Sequence, residues 1–256
     1  MDLRGKVAIV TGSSSPEGVG GSIAKALASR GCAVAVNYTS NENGAKQVVD
    51  ACQAAGAKAY AFQANVTSDE DCNRLVHTTF ERWGRLDVLV NNAAITRPVP
   101  LSELELIEDG EFLKLYSVNV VGAFQMARAA RRHLKSSGDG AIVNISSAAA
   151  FLGSGSSIAY AASKGALNTL TLSLARTFAP EVRVNAICPG GLLGNWTRKL
   201  MTEQAYQARV HEAETRFPLK RGVWPEDVAR QALFLIEDAT TMTGELLRTD
   251  SGGHLL

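Results

Sequence analysis

Near its start the chain reads Lys6-Val-Ala-Ile-Val10, then Thr11-Gly12-Ser-Ser-Ser-Pro-Glu-Gly18-Val-Gly20, then Gly21-Ser-Ile-Ala-Lys-Ala-Leu-Ala28. The first run is short and apolar, as in a buried strand, and the apolar residues of the third run recur at helical spacing. Glycines between a strand and a helix let a pyrophosphate approach the backbone, where free amide groups and the helix dipole meet its charge. The order strand, glycine loop, helix therefore predicts a dinucleotide site, with a plain turn as the alternative.

Along the rest of the chain, short β-rich runs alternate with helical stretches. This alternation is typical of βαβ units, which build a parallel sheet with helices on both faces. The sequence predicts one doubly wound α/β domain of the Rossmann type over 1–256, since no linker, repeat or low-complexity segment divides the chain. We predict strands at 6–10, 33–37, 58–63, 86–90, 140–145, 182–187 and 244–249.

A further motif is Tyr160-Ala-Ala-Ser-Lys164, which places a phenol and an ammonium four residues apart. Such residues are neighbours on one face of a helix. A phenol has a pKa near ~10, and bringing it to roughly 7 requires about 4 kcal/mol. A cation about 4 Å away, at an effective dielectric near ~20, supplies roughly that energy. The pair therefore indicates proton transfer, although in isolation it is more often an ordinary surface pair.

Several short motifs occur in order along the chain: Thr11-Gly12 with Gly18-Val19-Gly20, Asn91-Asn-Ala-Ala94, Asn119, Ser147, Tyr160 with Lys164, and Pro189-Gly190. Together they resemble the short-chain dehydrogenase/reductase family over essentially the whole chain, and most of all its 3-oxoacyl-carrier-protein reductases and related ketone reductases. The resemblance implies a seven-stranded sheet in the order 3-2-1-4-5-6-7. Ligands of such sheets bind beyond the carboxyl ends of the strands, and most of these motifs follow predicted strands.

The resemblance also implies a mechanism. Ser147 hydrogen-bonds the substrate oxygen, Tyr160 exchanges a proton with it as general acid or base, and hydride passes to or from the nicotinamide. Lys164 lowers the pKa of the tyrosine and holds the nicotinamide ribose, while Asn119 keeps a water that connects the lysine to solvent. Ser147 is chosen over its neighbour Ser146 because it stands 13 residues before the tyrosine, as in the family.

Coenzyme choice depends on the end of the second strand, where an acid would bind the ribose hydroxyls of NAD and repel the extra phosphate of NADP. Asn37-Tyr38-Thr39-Ser40 occupies this position without a carboxylate, so NADP(H) is favoured. NAD(H) is the alternative, because no arginine replaces the acid and Glu17 could lie nearby. The residues expected to bind the coenzyme are Gly12, Ser14, Gly18, Val19, Gly20, Asn37, Tyr38, Thr39, Asn65, Val66, Asn92, Ala93, Tyr160, Lys164, Pro189 and Gly190.

Three departures from the family pattern affect this site. The glycine loop has two extra residues, Pro16 and Glu17, so we expect it to bulge. Asn65 replaces an aspartate that contacts adenine in many members, and its amide can both donate and accept hydrogen bonds. Gly194 stands near the position of a threonine that touches the nicotinamide carboxamide. Thr197 or the backbone would have to replace that contact.

The substrate is less constrained by the sequence. The segment 192–217 is expected to form a lid over it, with an apolar face formed by Trp196, Leu200, Met201 and Tyr206. Each of these residues alone is more simply explained by packing of the lid against the core. A small-molecule carbonyl or alcohol of neutral or amphipathic character fits best. Arg97 and Arg198 leave room for an anionic group, such as that of a 3-oxoacyl thioester.

Two other functions stay open. A NAD-dependent dehydrogenase that oxidises a sugar or secondary alcohol would share every catalytic residue and would differ at the second strand and the lid. A catalytically inactive nucleotide sensor would usually lack Tyr160 or Lys164, and the chain has both. The resemblance further implies a homotetramer, in which the helices around 111–135 and 157–178 pair across twofold axes.

Composition excludes several classes of protein. A formal net charge of +1 gives no reason to expect nucleic acid or an anionic membrane as a partner. No apolar run approaches the ~20 residues of a spanning helix, and the first residues lead directly into a strand instead of a signal peptide. We therefore expect a cytoplasmic protein. The four cysteines lack the paired spacing of a zinc site, so no metal is expected.

Overall fold

The computed structural model describes residues 1–256, with the exception of the side chain of Asp109. Its centre is one parallel sheet built from β1 (Val7–Val10), β2 (Ala33–Tyr38), β3 (Ala59–Gln63), β4 (Val88–Asn91), β5 (Gly140–Ile145), β6 (Val182–Pro189) and β7 (Leu246–Thr249). The strand order is β3-β2-β1-β4-β5-β6-β7. Each predicted strand end lies within two residues of the observed one. The predicted doubly wound sheet is confirmed.

Helices cover both faces of this sheet. They are α1 (Val19–Ala28), α2 (Glu42–Ala54), α3 (Asp69–Trp83), α4 (Asp109–Tyr116), α5 (Ala123–Ser136), α6 (Ala149–Leu152), α7 (Ile158–Phe178), α8 (Asn195–Arg198), α9 (Glu203–Thr215) and α10 (Pro225–Glu237). Helices α1 and α10 pack together on one face, and α3 packs against α5 on the other. The helix expected around 111–135 is divided, because a π-helical turn at Ser117–Gly122 separates α4 from α5.

The central strands are buried on both faces of the sheet. Successive side chains of a strand point to opposite sides, and those of β1 are all apolar. Ala8 and Val10 pack into the cluster that contains Ile23 of α1. Ile9 points the other way, into the cluster that contains Met126 of α5. Burial on both sides fixes the register of the strands and aligns their carboxyl ends along one edge of the sheet.

The glycine loop between β1 and α1 lies against the end of β4. Gly12 has a φ of +58°, and a Cβ there would come 2.7 Å from the Cα of Ala93. The buried hydroxyl of Thr11 accepts hydrogen bonds from the backbone N–H groups of Asn92 (2.9 Å) and Ala93 (3.0 Å). Because only glycine fits at position 12, the loop and the end of β4 can meet in one site.

Two features of the described residues bear on the class of protein. None of their helices combines the length and the apolar character needed to cross a membrane. The cysteines Cys32, Cys52, Cys72 and Cys188 are free and buried. Burial raises the pKa of the Cys52 and Cys188 thiols to about 11. Thiols with so high a pKa are protonated at neutral pH and serve as packing groups.

Candidate active site

A cleft of about 1350 Å³ opens at the carboxyl ends of the strands, where doubly wound sheets bind their ligands. The glycine loop lines this cleft together with three of the four residues predicted to be catalytic, Ser147, Tyr160 and Lys164. Every residue predicted to bind the coenzyme lines it: Gly12, Ser14, Gly18, Val19, Gly20, Asn37, Tyr38, Thr39, Asn65, Val66, Asn92, Ala93, Tyr160, Lys164, Pro189 and Gly190. The fold therefore brings the two halves of the predicted site together.

Asn37, at the end of β2, positions the glycine loop. Its buried side chain accepts a hydrogen bond from the N–H of Gly12 (3.1 Å) and donates one to the carbonyl of Ala64 (2.9 Å). Asn37 is one of the residues expected to bind the coenzyme, but backbone groups occupy its side-chain amide. The side chains of Tyr38 and Thr39 are therefore the ones that this strand end offers to a coenzyme.

The inserted residues of the glycine loop reach across to the lid. The Glu17 carboxylate accepts a hydrogen bond from Nδ2 of Asn195, the first residue of α8. Glu17 is the acid that the sequence left open as a partner for the adenosine ribose. Its bond to Asn195 directs it away from that role, so the loop supplies no carboxylate to the end of β2.

Tyr160 and Lys164 lie on one face of α7, as their spacing predicts. The hydroxyl of Ser157 caps this helix by accepting a hydrogen bond from the N–H of Tyr160 (3.2 Å). The Nζ of Lys164 lies 5.6 Å from the centre of the Tyr160 ring and donates a hydrogen bond to the carbonyl of Ile145 (2.8 Å). The end of β5 thus holds the ammonium beside the phenol.

Burial sets the pKa of both groups. It raises the pKa of Tyr160 to about 12, and the nearby Ser147 hydroxyl lowers this pKa by less. Burial also lowers the pKa of Lys164 to about 8. In the protein alone the loss of solvent dominates, and the lowering of the Tyr160 pKa by Lys164 stays a prediction. At neutral pH the phenol holds its proton and most of the lysine is charged.

The two serines after β5 differ in their surroundings. Ser146 is buried, and its hydroxyl donates a hydrogen bond to Oδ1 of Asn168 (2.6 Å). Ser147 is half-buried, and its hydroxyl accepts a hydrogen bond from the N–H of Ala149 (3.2 Å) and donates a long one to the carbonyl of Pro189 (3.5 Å). The Ser147 hydroxyl is therefore the one that can donate to a ligand oxygen near Tyr160.

Asn119 lies in the π-helical turn, outside the lining of the cleft. Its side chain accepts a hydrogen bond from the N–H of Ile95 (2.9 Å) and donates to the carbonyl of Ile95 (3.1 Å) and to Oγ of Ser163 (3.0 Å). Turns of this kind recur at functional sites. Because these bonds occupy the side-chain amide, a water held by Asn119 would bind to its backbone.

The segment 192–217 contributes α8 and α9 to the cleft. Three of its four predicted apolar residues line the cleft, namely Trp196, Leu200 and Met201. Tyr206 is buried instead, and its hydroxyl accepts a hydrogen bond from the N–H of Gly194 (3.0 Å). Packing within the segment therefore accounts for Tyr206, while the other three provide an apolar surface for a ligand.

Gly194 stands near the position of the family threonine and has no hydroxyl. Thr197, three residues later, has one. It lines the cleft, and its Oγ1 donates a hydrogen bond to the carbonyl of Leu192 (2.7 Å). A hydroxyl that donates in this way keeps lone pairs for an incoming amide donor. The sequence left open whether Thr197 or the backbone replaces the contact to the nicotinamide carboxamide. The Thr197 side chain has suitable chemistry and position for it.

The two arginines considered for an anionic substrate group are neutralised within the protein. Arg97 forms an ion pair with the buried Glu111, and Arg198 forms one with Glu203. Arg209 of α9, which the sequence did not single out, lines the cleft. The sequence could have indicated that Arg209 faces inward, because it follows the apolar Tyr206 by three residues and therefore shares one helix face with it.

Comparisons with known proteins extend over nearly the whole chain. The family model described as enoyl-(acyl carrier protein) reductase matches residues 12–254. A protein of Streptomyces violaceoruber, named as the second ketoacyl reductase of the granaticin polyketide synthase, is 41% identical over 98% of this chain and 96% of its own length. The 3-oxoacyl-[acyl-carrier-protein] reductase of Aquifex aeolicus is 35% identical over 98% of both chains.

Solved structures agree with these relatives. A short-chain dehydrogenase/reductase from Burkholderia xenovorans superposes with a TM-score of 0.90 at 39% identity and covers 98% of both chains. A 7α-hydroxysteroid dehydrogenase, solved with NADH and 7-oxo glycochenodeoxycholic acid, gives a TM-score of 0.86 at 30% identity over 98% of this chain and 96% of its own. The chain belongs to the short-chain dehydrogenase/reductase family. It is an oxidoreductase of carbonyl or alcohol groups.

Proposed function

We propose that the protein is an NADP(H)-dependent oxidoreductase that transfers hydride between the nicotinamide and a ketone or 3-oxoacyl compound, or the matching secondary alcohol. One observation carries this proposal: Ser147, Tyr160 and Lys164 line the same cleft as the glycine loop. A proton donor and a dinucleotide site that share one cavity are the two parts that carbonyl reduction by a nicotinamide requires.

The described residues fit a dinucleotide. Glycine is required at position 20, where a Cβ would come 2.5 Å from Nδ2 of Asn92, so the start of α1 can lie close to the end of β4. The first N–H groups of α1 have no acceptor within the helix, and the helix dipole favours an anion at this end. A bound nicotinamide coenzyme supplies or accepts the hydride, which no side chain of the cleft can do.

The side chains of the cleft have distinct roles in this proposal. With its pKa raised to about 12, Tyr160 is protonated at neutral pH and acts as the proton donor in reduction. Ser147 donates a hydrogen bond to the same substrate oxygen and so holds it beside the phenol. The Lys164 ammonium stabilises negative charge on the phenol oxygen as the proton leaves, and it binds the ribose. Asn119 positions α7 through its bond to Ser163.

The names of the relatives support a ketone or 3-oxoacyl substrate. Both a ketoacyl reductase and a 3-oxoacyl-[acyl-carrier-protein] reductase match the chain over almost all of its length. A panel of 3-oxoacyl thioesters and simple ketones, assayed by coenzyme absorbance with NADPH and with NADH, tests the proposal. We expect oxidation of NADPH with at least one of them. Failure of every carbonyl compound with both coenzymes would contradict it.

The end of β2 supports NADP(H) over NAD(H). Tyr38 and Thr39 line the cleft there, and among the described residues no carboxylate does. A carboxylate at this position would repel the 2′-phosphate of NADP. An NAD-dependent dehydrogenase of sugars or secondary alcohols is the alternative. One observation favours it, because the end of β2 also lacks an arginine to bind the phosphate.

Replacing Tyr38 by aspartate should therefore move coenzyme preference from NADPH toward NADH. The new carboxylate would face the 2′-phosphate of NADPH, whereas it would accept hydrogen bonds from the ribose hydroxyls of NADH. Like charges at this partly solvated position should cost about 1–4 kcal/mol, or roughly tenfold to a thousandfold in relative kcat/KM. The measurement is the kcat/KM ratio for the two coenzymes, with Tyr38→Phe as an uncharged control. A wild type that already prefers NADH would refute the argument from β2.

We further propose that the protein is a homotetramer. Large apolar side chains are exposed on the helices expected to pair, including Phe112 and Leu113 of α4, Phe124 of α5 and Leu172 of α7. Exposed large apolar side chains on these helices support contacts between copies of the chain. Light scattering at micromolar concentration should report four times the monomer mass of 27.2 kDa. A monomer at that concentration would overturn the proposal.

The cytoplasm is the compartment we propose. The free, buried thiols of Cys32, Cys52, Cys72 and Cys188 support it, because disulfides are rare where the cell keeps thiols reduced. The soluble coenzymes that the site fits are consistent with the same compartment. Fractionation of cells that express the tagged protein would test this assignment.

A further inference from the structure

Arg209 of α9 is a half-buried cation without a partner. It lines the cleft, and its Nε is fully buried with no hydrogen-bond acceptor among the described residues. Within the same part of the chain its guanidinium forms no ion pair. Polar groups in such positions are nearly always hydrogen-bonded, and a buried charge without a partner is costly. An exception of this kind calls for a partner that comes from outside the protein.

Among the described residues of α9, no acid forms an ion pair with Arg209. Glu212 lies one helical turn further along α9 and forms an ion pair with Arg216 at 3.1 Å. Glu203, at the start of the helix, forms one with Arg198 at 3.1 Å. Both pairs are exposed on the outer side of the segment. Arg209 is different because it lies on the face of α9 that also carries the buried Tyr206 and Ala213.

The charge of the cleft points to an anionic ligand. Among its described lining residues, the charged ones are Lys114, Lys164, Lys199 and Arg209, and none carries a carboxylate. Lys164 has its proposed role beside Tyr160. Lys114 and Lys199 are exposed to solvent, so bulk water can solvate their ammonium groups. Of these cations, Arg209 is the one that water solvates least and that an anionic ligand would stabilise most.

The surroundings of Arg209 also limit what the ligand can be. The same segment, 192–217, contributes the apolar Trp196, Leu200 and Met201 to the lining of the cleft. A ligand that reaches both Arg209 and Tyr160 therefore also has apolar surface of the cleft to contact. A guanidinium presents a planar fork of donors that matches two oxygens of a carboxylate or phosphate.

We propose that Arg209 binds an oxyanion of the substrate, a carboxylate or a phosphate, while the carbonyl to be reduced lies at Tyr160. The substrate class is then a carbonyl compound with an apolar stem and an anionic end. This inference rests on the proposed carbonyl reductase function, and it assigns to Arg209 the specificity for substrates of that reaction.

Matched pairs of substrates test the inference. The probes are 2-, 3-, 4- and 5-oxo acids of one chain length together with their methyl esters, assayed with NADPH. For the best oxo acid, Arg209→Met should lower kcat/KM by at least about 30-fold, mainly through KM, because a desolvated charge pair is lost. The ester should be reduced as well by the variant as by the wild type. Arg209→Lys should recover part of the preference for the acid, since it restores the charge but not the fork.

A second set of probes distinguishes the source of the oxyanion. A 3-oxoacyl phosphopantetheine and its dephosphorylated counterpart differ only in the phosphate. If phosphate is the group bound, Arg209→Met should remove the preference for this thioester and leave oxo acids unaffected. If carboxylate is the group, the reverse should hold. Arg198→Met is the matched control, because it removes an arginine of the same segment that is already paired with Glu203.

The outcomes separate this inference from the proposed function. The wild type and Arg209→Met could reduce every anionic probe at the same rate. That result would overturn the role of Arg209 but would leave the reductase function unaffected. Absence of NADPH oxidation with every probe would overturn both. Unchanged NADPH affinity and melting temperature in the variant would show that its effect is on the substrate and not on folding or coenzyme binding.

Discussion

Replacing Tyr160 by phenylalanine should lower kcat by about 100- to 10,000-fold, the usual effect of removing a general acid. Coenzyme affinity should stay nearly unchanged, because the ring remains and only the transferable proton is lost. Burial raises the pKa of Tyr160 to about 12, so at neutral pH the phenol carries the proton that the variant would lack. The measurements are kcat by coenzyme absorbance and the dissociation constant of NADPH by its fluorescence.

Tyr60→Phe is a matched control for this variant. Tyr60 is also a partly buried phenol, but its hydroxyl is hydrogen-bonded to Thr79 (2.8 Å), outside the residues that line the cleft. It should retain full turnover. If Tyr160→Phe kept more than a few per cent of wild-type activity, the proton donor would have to be another group, and the proposed mechanism would be wrong.

Lys164→Met should impair both turnover and coenzyme binding. The substitution keeps most of the side-chain volume, and an unchanged melting temperature would show that the lost activity does not reflect unfolding. Without the ammonium, the Tyr160 phenolate loses its stabilising cation. In the direction of alcohol oxidation, the residual activity should therefore move to higher pH. An unchanged pH profile would argue against the proposed role of Lys164.

Coenzyme affinity gives a second pH-dependent readout of the same residue. Burial lowers the pKa of Lys164 to about 8 in the protein alone, so its charge is present below that pH and is lost as the pH rises through it. Wild-type affinity for NADPH should therefore fall by up to about tenfold between pH 8 and pH 9. Lys164→Met should lack this dependence. Lys58→Met, which removes an exposed lysine just before β3, should behave as the wild type.

The fold and the coenzyme-binding part of the cleft lining could be predicted because their signals are local. Val7–Val10 is apolar throughout, as in a strand buried on both faces, and the glycines at 12, 18 and 20 follow it closely. Right-handed crossovers then leave little freedom in strand order. The motifs that follow the strands meet in one cleft because a parallel sheet aligns all the carboxyl ends of its strands.

The remaining features depend on partners that lie far apart in the sequence. Asn37 bonds to the glycine loop, and Glu17 bonds to Asn195 in the lid, neither of which local spacing could indicate. The raised pKa of Tyr160 has the same origin, because desolvation depends on how neighbouring elements cover the phenol.

The arginines illustrate the same limit. The sequence alone does not distinguish Arg97, Arg198 and Arg209. The fold shows that the first two guanidinium groups form ion pairs and that, among the described residues, Arg209 does not. The useful signal is helical phase, because Arg209 shares a face with the buried Tyr206. A charged residue on the buried face of a helix is therefore a better guide to a ligand site than the number of charges in a segment.

Transfer of deuterium tests the central claim most directly. The protein would be incubated with NADPH that carries deuterium at both positions of nicotinamide C4, together with a ketone or 3-oxoacyl compound from the panel. Mass spectrometry should find one deuterium on the carbinol carbon of the alcohol product, and Tyr160→Phe should form little of it. An alcohol product without deuterium, or no alcohol from any carbonyl compound with either coenzyme, would contradict hydride transfer in this cleft.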